Sequence, residues 1–250
     1  MMLSGWGRFP QQWCKLEQPN GEVALRALLA NGPRIARGNG RGYGDCALQR
    51  NATLDMRGFK RMLAFDTESG QLVTEAGVLL ADVITTFLPR GWFPPVTPGT
   101  KFVTIGGMVA ADVHGKNHHC DGTFGQFVDW IDLMGEDGEI SRCSPQENAE
   151  LFAWTIGGMG LTGIILRVAF RLRRVESAWI RQTTLPAANL EGVMAQFEAN
   201  AQATYSVAWI DCLSKGAGLG RSALMFGEHA HADELPRTRR ASPVSYTHLR

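Results

Sequence analysis

Two glycine-rich segments carry the residue types that could hold an anionic ligand. In the first segment, four glycines alternate with other residues: Gly38, Gly40, Gly42 and Gly44. Alternate glycines give no hydrophobic face, but they let the backbone adopt positive φ angles and approach a ligand closely. The backbone N–H groups of such a loop form an anion-binding concavity, to which Arg37 and Arg41 add positive charge before Asp45 ends the run. A flexible surface loop is the alternative, although a linker favours serine over interleaved arginine and tyrosine.

The second segment spans residues 98–119 and opens on a Pro98-Gly99 turn. Thr104 is the predicted N-cap of a short helix that runs through Gly106-Gly107 and Ala110. Two glycines in the first turn of a helix are costly unless something must come close, and an anion at that N-terminus is such a reason. A ligand with two phosphates, held between the two segments, accounts for both of them.

Together these residues resemble the vanillyl-alcohol-oxidase-type FAD-linked oxidases. The resemblance covers about residues 5–240 and rests on five stretches: 37–45, 98–107, 114–119, 157–165 and 205–211. The sequence His114-Gly-Lys-Asn-His118 narrows it to the polyprenylphosphoryl-ribose oxidases. The resemblance implies an α+β fold, with a two-subdomain FAD-binding domain of the PCMH type over residues 5–175. The start of a truncated α+β substrate domain is expected to follow over residues 178–241.

The resemblance also implies which residues contact the cofactor, FAD. The positions that match are Arg37, Gly38, Asn39, Gly40, Arg41, Gly42, Tyr43, Gly44, Asp45, Gly99, Thr104, Ile105, Gly106, Gly107, His114, Gly115, Lys116, Asn117, Gly163 and Ile165. His114 and Lys116 are expected on the substrate side of the flavin, where a lysine suits a phosphate diester. Related enzymes attach the flavin covalently to a histidine here, but the oxidases that the chain most resembles do not, so we expect no covalent bond. The catalytic base is expected beyond residue 250, so the sequence identifies no catalytic residue.

The implied reaction is the oxidation of a secondary alcohol. The ribose 2′-hydroxyl of a polyprenyl-phosphate sugar is expected to lose a hydride to the flavin and become a 2′-ketone, a step in the synthesis of cell-wall arabinan precursors. A separate NAD(P)H-dependent ketoreductase is expected to reduce that ketone, so that the two proteins act together as an epimerase. One alternative is a sugar-lactone or alditol oxidase of the same fold, which shares the glycine loop but not residues 114–118. The other is a non-catalytic FAD-binding fragment.

The elements that must position these segments are predicted from hydrophobic periodicity and turn residues. Three longer helices are expected: one from an Asn20 cap to Gly32, one over residues 80–88, and one from a capping box at Ser144–Glu147 to about Trp154. The expected strands are 34–37, 53–56, 61–65, 71–75, the hairpin 128–134 with 139–142, and 164–172. Helices and hairpins mixed along the chain indicate an α+β fold rather than a purely parallel sheet.

Two other motifs invite interpretations that the sequence disfavours. Gly158-x-Gly160-x-x-Gly163 matches the dinucleotide fingerprint of a Rossmann fold, which must follow a strand and open a helix. The predicted order here is reversed, so the motif is either a tight turn beside the flavin or a plain helix-to-strand connector. His114, His118 and His119 suggest a metal, but no second set of ligands stands at zinc spacing, so no metal is expected. Solvated surface histidines are the alternative.

The composition agrees with a soluble enzyme. Hydrophobic residues make up 44% of the chain, which is enough for a core. The net charge of +1 does not indicate the basic surface that a nucleic-acid-binding protein needs. No apolar run approaches the roughly 20 residues that span a bilayer, and the N-terminus lacks the features of a signal peptide. Five cysteines without a C-x-x-C pair favour a reducing compartment. We therefore expect a cytoplasmic protein that contacts the inner face of the membrane through its lipid substrate. Residues 243–250 lack periodicity, so we expect a non-native tail on a fragment.

Overall fold

The computed structural model describes residues 1–235 and mixes helices with mainly antiparallel strands. The α-helices are α1 (Glu22–Leu29), α2 (Leu80–Phe87), α3 (Ile105–Ala110), α4 (His118–Asp121), α5 (Ala149–Thr155) and α6 (Leu190–Ala199). The strands are β1 (Met2–Ser4), β2 (Gln11–Trp13), β3 (Leu16–Glu17), β4 (Ile35–Arg37), β5 (Thr53–Asp55), β6 (Met62–Phe65), β7 (Gln71–Glu75), β8 (Trp92–Phe93), β9 (Val128–Met134), β10 (Ile140–Cys143), β11 (Ile164–Arg171), β12 (Arg173–Arg174), β13 (Ile180–Ala187), β14 (Tyr205–Ile210) and β15 (Ser222–His229). This mixture confirms the predicted α+β class. No helix in this part of the chain is long and apolar enough to cross a membrane.

The largest sheet has five antiparallel strands in the order β10-β9-β11-β7-β6. Its middle strand, β11, is apolar along most of its length because both of its faces are buried. Ile165, Val168 and Phe170 pack into one core with helices α2 and α3. Ile164 and Leu166 pack into a second core with α1 and β5. One strand therefore belongs to two hydrophobic cores.

Two three-stranded sheets and two two-stranded sheets, β1-β2 and β12-β8, complete the architecture of the described residues. The parallel sheet β3-β5-β4 positions the first glycine-rich segment, because that segment follows directly after β4, which ends at Arg37. The antiparallel sheet β13-β15-β14 packs against α6 around a small core of its own: Ala187, Val193, Leu224 and Phe226. Residues 236–241 of the predicted substrate domain and the predicted tail at 243–250 lie outside the described residues.

Most predicted elements agree with the structure to within one or two residues, but the start of α1 differs. The helix begins at Glu22 with Gly21 in the N-cap position, and no side chain caps it. The first helical hydrogen bond runs 3.0 Å from the Leu25 N–H to the Gly21 carbonyl. The Asn20 cap is therefore wrong, because the chain turns into the helix one residue later than the pattern suggests.

The predicted capping box at Ser144–Glu147 is also wrong as a helix start. Ser144 Oγ accepts hydrogen bonds from the backbone N–H groups of Gln146 (3.1 Å) and Glu147 (3.0 Å), which is the first half of a capping box. However, the Ser144 N–H donates back to the Glu147 carbonyl at 2.7 Å, which closes a separate turn. Asn148 then takes a left-handed conformation with φ 51°, so helix α5 begins only at Ala149.

Candidate functional site

The two glycine-rich segments face each other across a cleft of about 660 Å³. The first segment follows β4, the second includes the start of α3, and the start of β11 contributes a further wall. The predicted cofactor residues that line the cleft are Gly38, Asn39, Gly40, Arg41, Gly42, Tyr43, Gly99, Thr104, Gly106, Gly107, His114, Gly163 and Ile165. Pockets that enclose small ligands and cofactors typically measure roughly 300–1,000 Å³, so this cleft is of suitable size.

Close contact between the two segments explains the first glycine of the run. A Cβ atom on Gly38 would lie 2.2 Å from Thr104 Oγ1. The neighbouring Asn39 Nδ2 donates a hydrogen bond of 2.8 Å to the Phe102 carbonyl. Thr104 Oγ1 accepts a hydrogen bond of 3.2 Å from the Gly107 N–H, which confirms Thr104 as the N-cap of α3. The segments are therefore held together by contacts that a side chain at position 38 would obstruct.

Arg37 supports the first segment from behind and does not line the cleft. Its Nη2 donates a hydrogen bond of 2.7 Å to the Ser4 carbonyl. Gly40 passes over this guanidinium with φ 64°, and a Cβ at Gly40 would lie 2.3 Å from Arg37 Nη2. Burial lowers the pKa of Arg37 from its usual value. A guanidinium nevertheless keeps its charge in proteins, so Arg37 adds positive potential beneath the loop.

Arg41 is the arginine of this segment that lines the cleft. Its guanidinium carbon lies 5.0 Å from the centre of the Trp6 ring, in cation–π geometry. Its Nε atom is buried and has no hydrogen-bond partner within residues 1–235. A buried donor without an acceptor costs roughly 1–3 kcal/mol, and a bound anion can supply that acceptor. Arg41 and the glycine backbone around it therefore fit a phosphate-bearing cofactor.

The histidine segment divides between the cleft and the interior. His114 is exposed and lines the cleft, with its ring centre 5.4 Å from that of His118. Asn117 is fully buried, and its Nδ2 donates hydrogen bonds of 2.7 Å to the Pro95 carbonyl and to Asp121 Oδ2. The side chain of Lys116 is exposed. Within residues 1–235, no group of three or more His, Cys, Asp or Glu side chains is arranged to hold a metal ion.

Seven predicted cofactor residues do not line the cleft: Arg37, Gly44, Asp45, Ile105, Gly115, Lys116 and Asn117. Ile105 is fully buried in the core between α3 and the five-stranded sheet. Gly115 packs closely in the interior, since a Cβ there would lie 2.8 Å from the Thr97 carbonyl. These residues shape the backbone that presents the lining residues, and their contact with the cofactor stays a prediction.

Other lining residues were not predicted as cofactor contacts: Trp6, Ala36, Cys46, Ala47, Met56, Ala76, Pro98, Thr100, Val103, Ala110, Ala111, Val113, Met159 and Gly160. Several of them flank the glycine-rich segments, and their small side chains are a signal that could have marked them. Trp6 carries no such signal, because it reaches the cleft from the N-terminal hairpin. Its N–H donates a hydrogen bond of 2.8 Å to the Gly42 carbonyl.

The motif that resembles a dinucleotide fingerprint forms one edge of the same cleft. Helix α5 precedes it and β11 follows it, the reverse of the Rossmann order. Gly160 and Gly163 both line the cleft, with φ of 81° and 144°. A Cβ at Gly163 would lie 2.8 Å from the Met134 carbonyl. The motif is therefore a tight turn at the ligand cleft rather than a plain connector.

Comparisons with known proteins agree with this geometry. Residues 22–144, which include both glycine-rich segments, match the family described as FAD binding domain. The chain is 37% identical, over 98% of its length, to decaprenylphosphoryl-beta-D-ribose oxidase of Mycolicibacterium smegmatis, of which it covers 55%. It is 31% identical, over 60% of its length, to L-gulonolactone oxidase of Bos taurus, of which it covers 33%. It is also 32% identical, over 42% of its length, to cytokinin dehydrogenase 5 of Arabidopsis thaliana, of which it covers 20%.

The chain thus spans about half the length, or less, of these curated relatives. The family match, the glycine-lined cleft and the unpaired Nε of Arg41 concern the same part of the molecule. The predicted cofactor is therefore confirmed. The chain carries an FAD binding domain over residues 22–144, and its cofactor is FAD.

Proposed function

We propose that this chain is the FAD-binding part of an oxidase that acts on the 2′-hydroxyl of a polyprenylphosphoryl-β-D-ribose. The observation that carries the proposal is the 37% identity to decaprenylphosphoryl-beta-D-ribose oxidase over 98% of the chain. This similarity continues well beyond the FAD binding domain match, which ends at residue 144. It therefore includes β14 and the sheet around it, where a substrate-binding unit is expected.

The domain division that we propose follows from how the strands pair. Strand β12 pairs with β8, which packs with the core of the five-stranded sheet. Strand β13, a few residues later, pairs only with β15 in a separate sheet. We therefore place an FAD-binding domain at residues 5–175 and the start of a substrate domain at residue 178.

Within the cleft, we propose that residues 38–43 and 99–107 cradle the diphosphate of FAD. The glycines that line the cleft let a ligand approach the backbone closely, and the unpaired Nε of Arg41 is a donor for a phosphate oxygen. When bound, FAD supplies the ring that accepts the hydride. The task of this chain is to hold that ring and to orient the substrate carbon against it.

His114 and Lys116 are the residues that we place on the substrate side. His114 lines the cleft and is exposed, so it is open to a ligand that enters. Lys116 is exposed two residues further on, and its flexible ammonium suits the phosphate diester of a lipid-linked sugar. The hydroxyl proton needs a base, which we do not assign to any residue of 1–235.

The lipid-linked substrate also determines the expected surroundings of the enzyme. A polyprenyl chain keeps the sugar at a membrane, so we propose that the protein works at the inner membrane face as a peripheral protein. The 2′-keto sugar needs a reductant to complete an epimerisation. We therefore propose a separate NAD(P)H-dependent ketoreductase as the partner.

A second candidate is a sugar-lactone or alditol oxidase. It is favoured by the 31% identity to L-gulonolactone oxidase, which lies within 60% of the chain. The third, a non-catalytic FAD-binding protein, predicts that no sugar substrate reduces the flavin at all.

One experiment separates these candidates. The full-length FAD-loaded protein is mixed without oxygen with a polyprenylphosphoryl ribose, with L-gulonolactone or with xylitol, and the visible absorbance of the flavin is followed. Bleaching by the lipid-linked ribose alone supports the proposal. Bleaching by the lactone or the alditol, without bleaching by the lipid-linked ribose, assigns the second candidate and refutes the first. No bleaching by any of them leaves the non-catalytic role.

A further inference from the structure

A chain of polar side chains lies outside the cleft, where the sheet β13-β15-β14 meets the FAD-binding part of the molecule. Arg173 on β12 forms an ion pair with Asp121, with 2.6 Å between Nη2 and Oδ1. The other carboxylate oxygen of Asp121 accepts the hydrogen bond of 2.7 Å from Asn117 Nδ2. Arg173 is therefore connected, through one carboxylate, to the interior of the segment that carries His114 and Lys116.

Arg173 also interacts electrostatically with two half-buried groups of the sheet β13-β15-β14. The Tyr205 hydroxyl and His229 Nε2 are 2.9 Å apart and share a hydrogen bond. Burial raises the pKa of Tyr205 to about 12, and the Arg173 charge partly offsets that rise. Burial, together with the nearby charge of Arg173, lowers the pKa of His229 to about 4. Tyr205 and His229 are thus uncharged near neutral pH, and Arg173 is a cation close enough to influence the pKa of both.

Strand β14 also contacts the same segment directly. The Ser206 N–H donates a hydrogen bond of 2.9 Å to the Lys116 carbonyl. His119 Nε2 lies 2.8 Å from the Ala203 carbonyl, within hydrogen-bond distance. The segment 114–121 is therefore held by β14 on one side and, through Asp121, by Arg173 on the other.

We propose that Arg173 is a positioning residue, which fixes the segment 114–121 against β14 and so sets where His114 and Lys116 stand at the mouth of the cleft. Arg173 suits this role because its planar guanidinium can donate in several fixed directions at once. Its side chain is 26% exposed and that of Asp121 is 19% exposed, so the pair is shielded from full solvent screening. Loss of the cation leaves a largely buried carboxylate unpaired, and the segment must move to rehydrate it.

The adjacent Arg174 provides a matched control. It lies on the same strand, but it stacks 4.1 Å from the centre of the Trp92 ring and its Nη2 donates to the Thr67 carbonyl. Both contacts are with the FAD-binding part of the molecule. Arg174→Gln therefore removes one charge at the same place without touching the segment 114–121.

The test compares Arg173→Gln, Arg173→Lys and Arg174→Gln as full-length, FAD-loaded proteins. We expect Arg173→Gln to keep its FAD, to change the visible circular dichroism of the flavin, and to lower kcat/KM for a polyprenylphosphoryl ribose roughly 10- to 100-fold. Arg173→Lys should recover part of both signals, and Arg174→Gln should match the parent. The inference is overturned if Arg173→Gln and Arg174→Gln give the same flavin spectrum and the same kcat/KM.

A second variant guards against a failure of Arg173→Gln to fold. Asp121→Asn keeps the shape of the side chain but removes the charge that Arg173 contacts, so it should shift the flavin spectrum in the same direction. An unchanged spectrum in folded Asp121→Asn also overturns the inference. The inference rests on the proposed function only for the kinetic measurement. If the parent does not oxidise the lipid-linked sugar, the proposed function fails while the spectra still decide the role of Arg173.

Discussion

An alanine at position 38 should weaken FAD binding, because it forces the two glycine-rich segments apart. The new Cβ would lie 2.2 Å from Thr104 Oγ1, 3.1 Å from Thr104 Cγ2 and 3.2 Å from Thr104 Cβ. Thr104 is only 3% exposed, so its side chain has no solvent to turn into. Relief requires Thr104 to give up its hydrogen bond to the Gly107 N–H or requires the segments to separate.

The size of the effect follows from these two costs. Loss of a threonine N-cap costs about 1 kcal/mol, and an extra methyl group in a packed interior costs roughly 1–3 kcal/mol. The apo-protein can relax by letting the segments part, but FAD must bring them together again. One or the other of these costs, about 1–3 kcal/mol, therefore falls on binding, which corresponds to a rise in the Kd for FAD of roughly 5- to 160-fold.

The assay is a titration of the apo-protein with FAD, followed by flavin fluorescence, for Gly38→Ala, Thr104→Ala and the double variant. Thr104→Ala removes Oγ1 and Cγ2, the two atoms closest to the new methyl group, so the double variant should bind FAD better than Gly38→Ala alone. Gly21→Ala is the control, because a Cβ there meets nothing within 4 Å. A parental Kd for Gly38→Ala, or a double variant that is no better, would refute this account of the cleft.

Three further predictions concern the cofactor, the substrate side and the junction. Acid precipitation should release the yellow colour into the supernatant, because we expect no covalent bond to the flavin; colour in the pellet contradicts this. Lys116→Ala in the full-length protein should lower kcat/KM for the lipid-linked ribose roughly tenfold without changing FAD content, and a parental value makes Lys116 a plain surface residue. The pKa of His229 is lowered from 6.5 to about 4, so the unfolded chain binds the proton more readily. The free energy of unfolding should therefore fall as pH drops from about 6.5 to about 4, and a urea titration of His229→Gln should show a flatter dependence there.

The sequence predicted those parts of the site whose geometry is determined within one short segment. The glycine run and the Thr104 cap are local features, and Gly38, Gly40, Gly42 and Thr104 all line the cleft. Arg37 and Arg41 show that the local sequence does not determine which side chain of the loop reaches the cleft. Both stand in the same glycine loop, yet only Arg41 lines the cleft, because Arg37 is held by the carbonyl of Ser4 from the distant first strand.

The failures at Ser144–Glu147 and at Trp6 have different physical causes. The hydrogen bonds to the Ser144 hydroxyl do form, but they belong to a separate turn, because Asn148 adopts a left-handed conformation that the pattern does not record. Trp6 belongs to a hairpin whose place beside Gly42 depends on backbone contacts between distant residues. Tertiary contacts of this kind leave no periodic signal in the chain.

The double burial of β11 has a consequence for how FAD acts on the whole molecule. Gly163 and Ile165, at the start of this strand, also line the cleft. Neither core can open without exposing β11, so the two cores share one cooperative unit instead of unfolding separately. A ligand that binds this unit only in its folded form shifts the unfolding equilibrium toward the native state. Each tenfold excess of free FAD over its Kd raises the free energy of unfolding by about 1.4 kcal/mol. The cofactor is thereby a determinant of the stability of the entire fold, and its supply governs the fraction of the protein that stays folded as well as its colour.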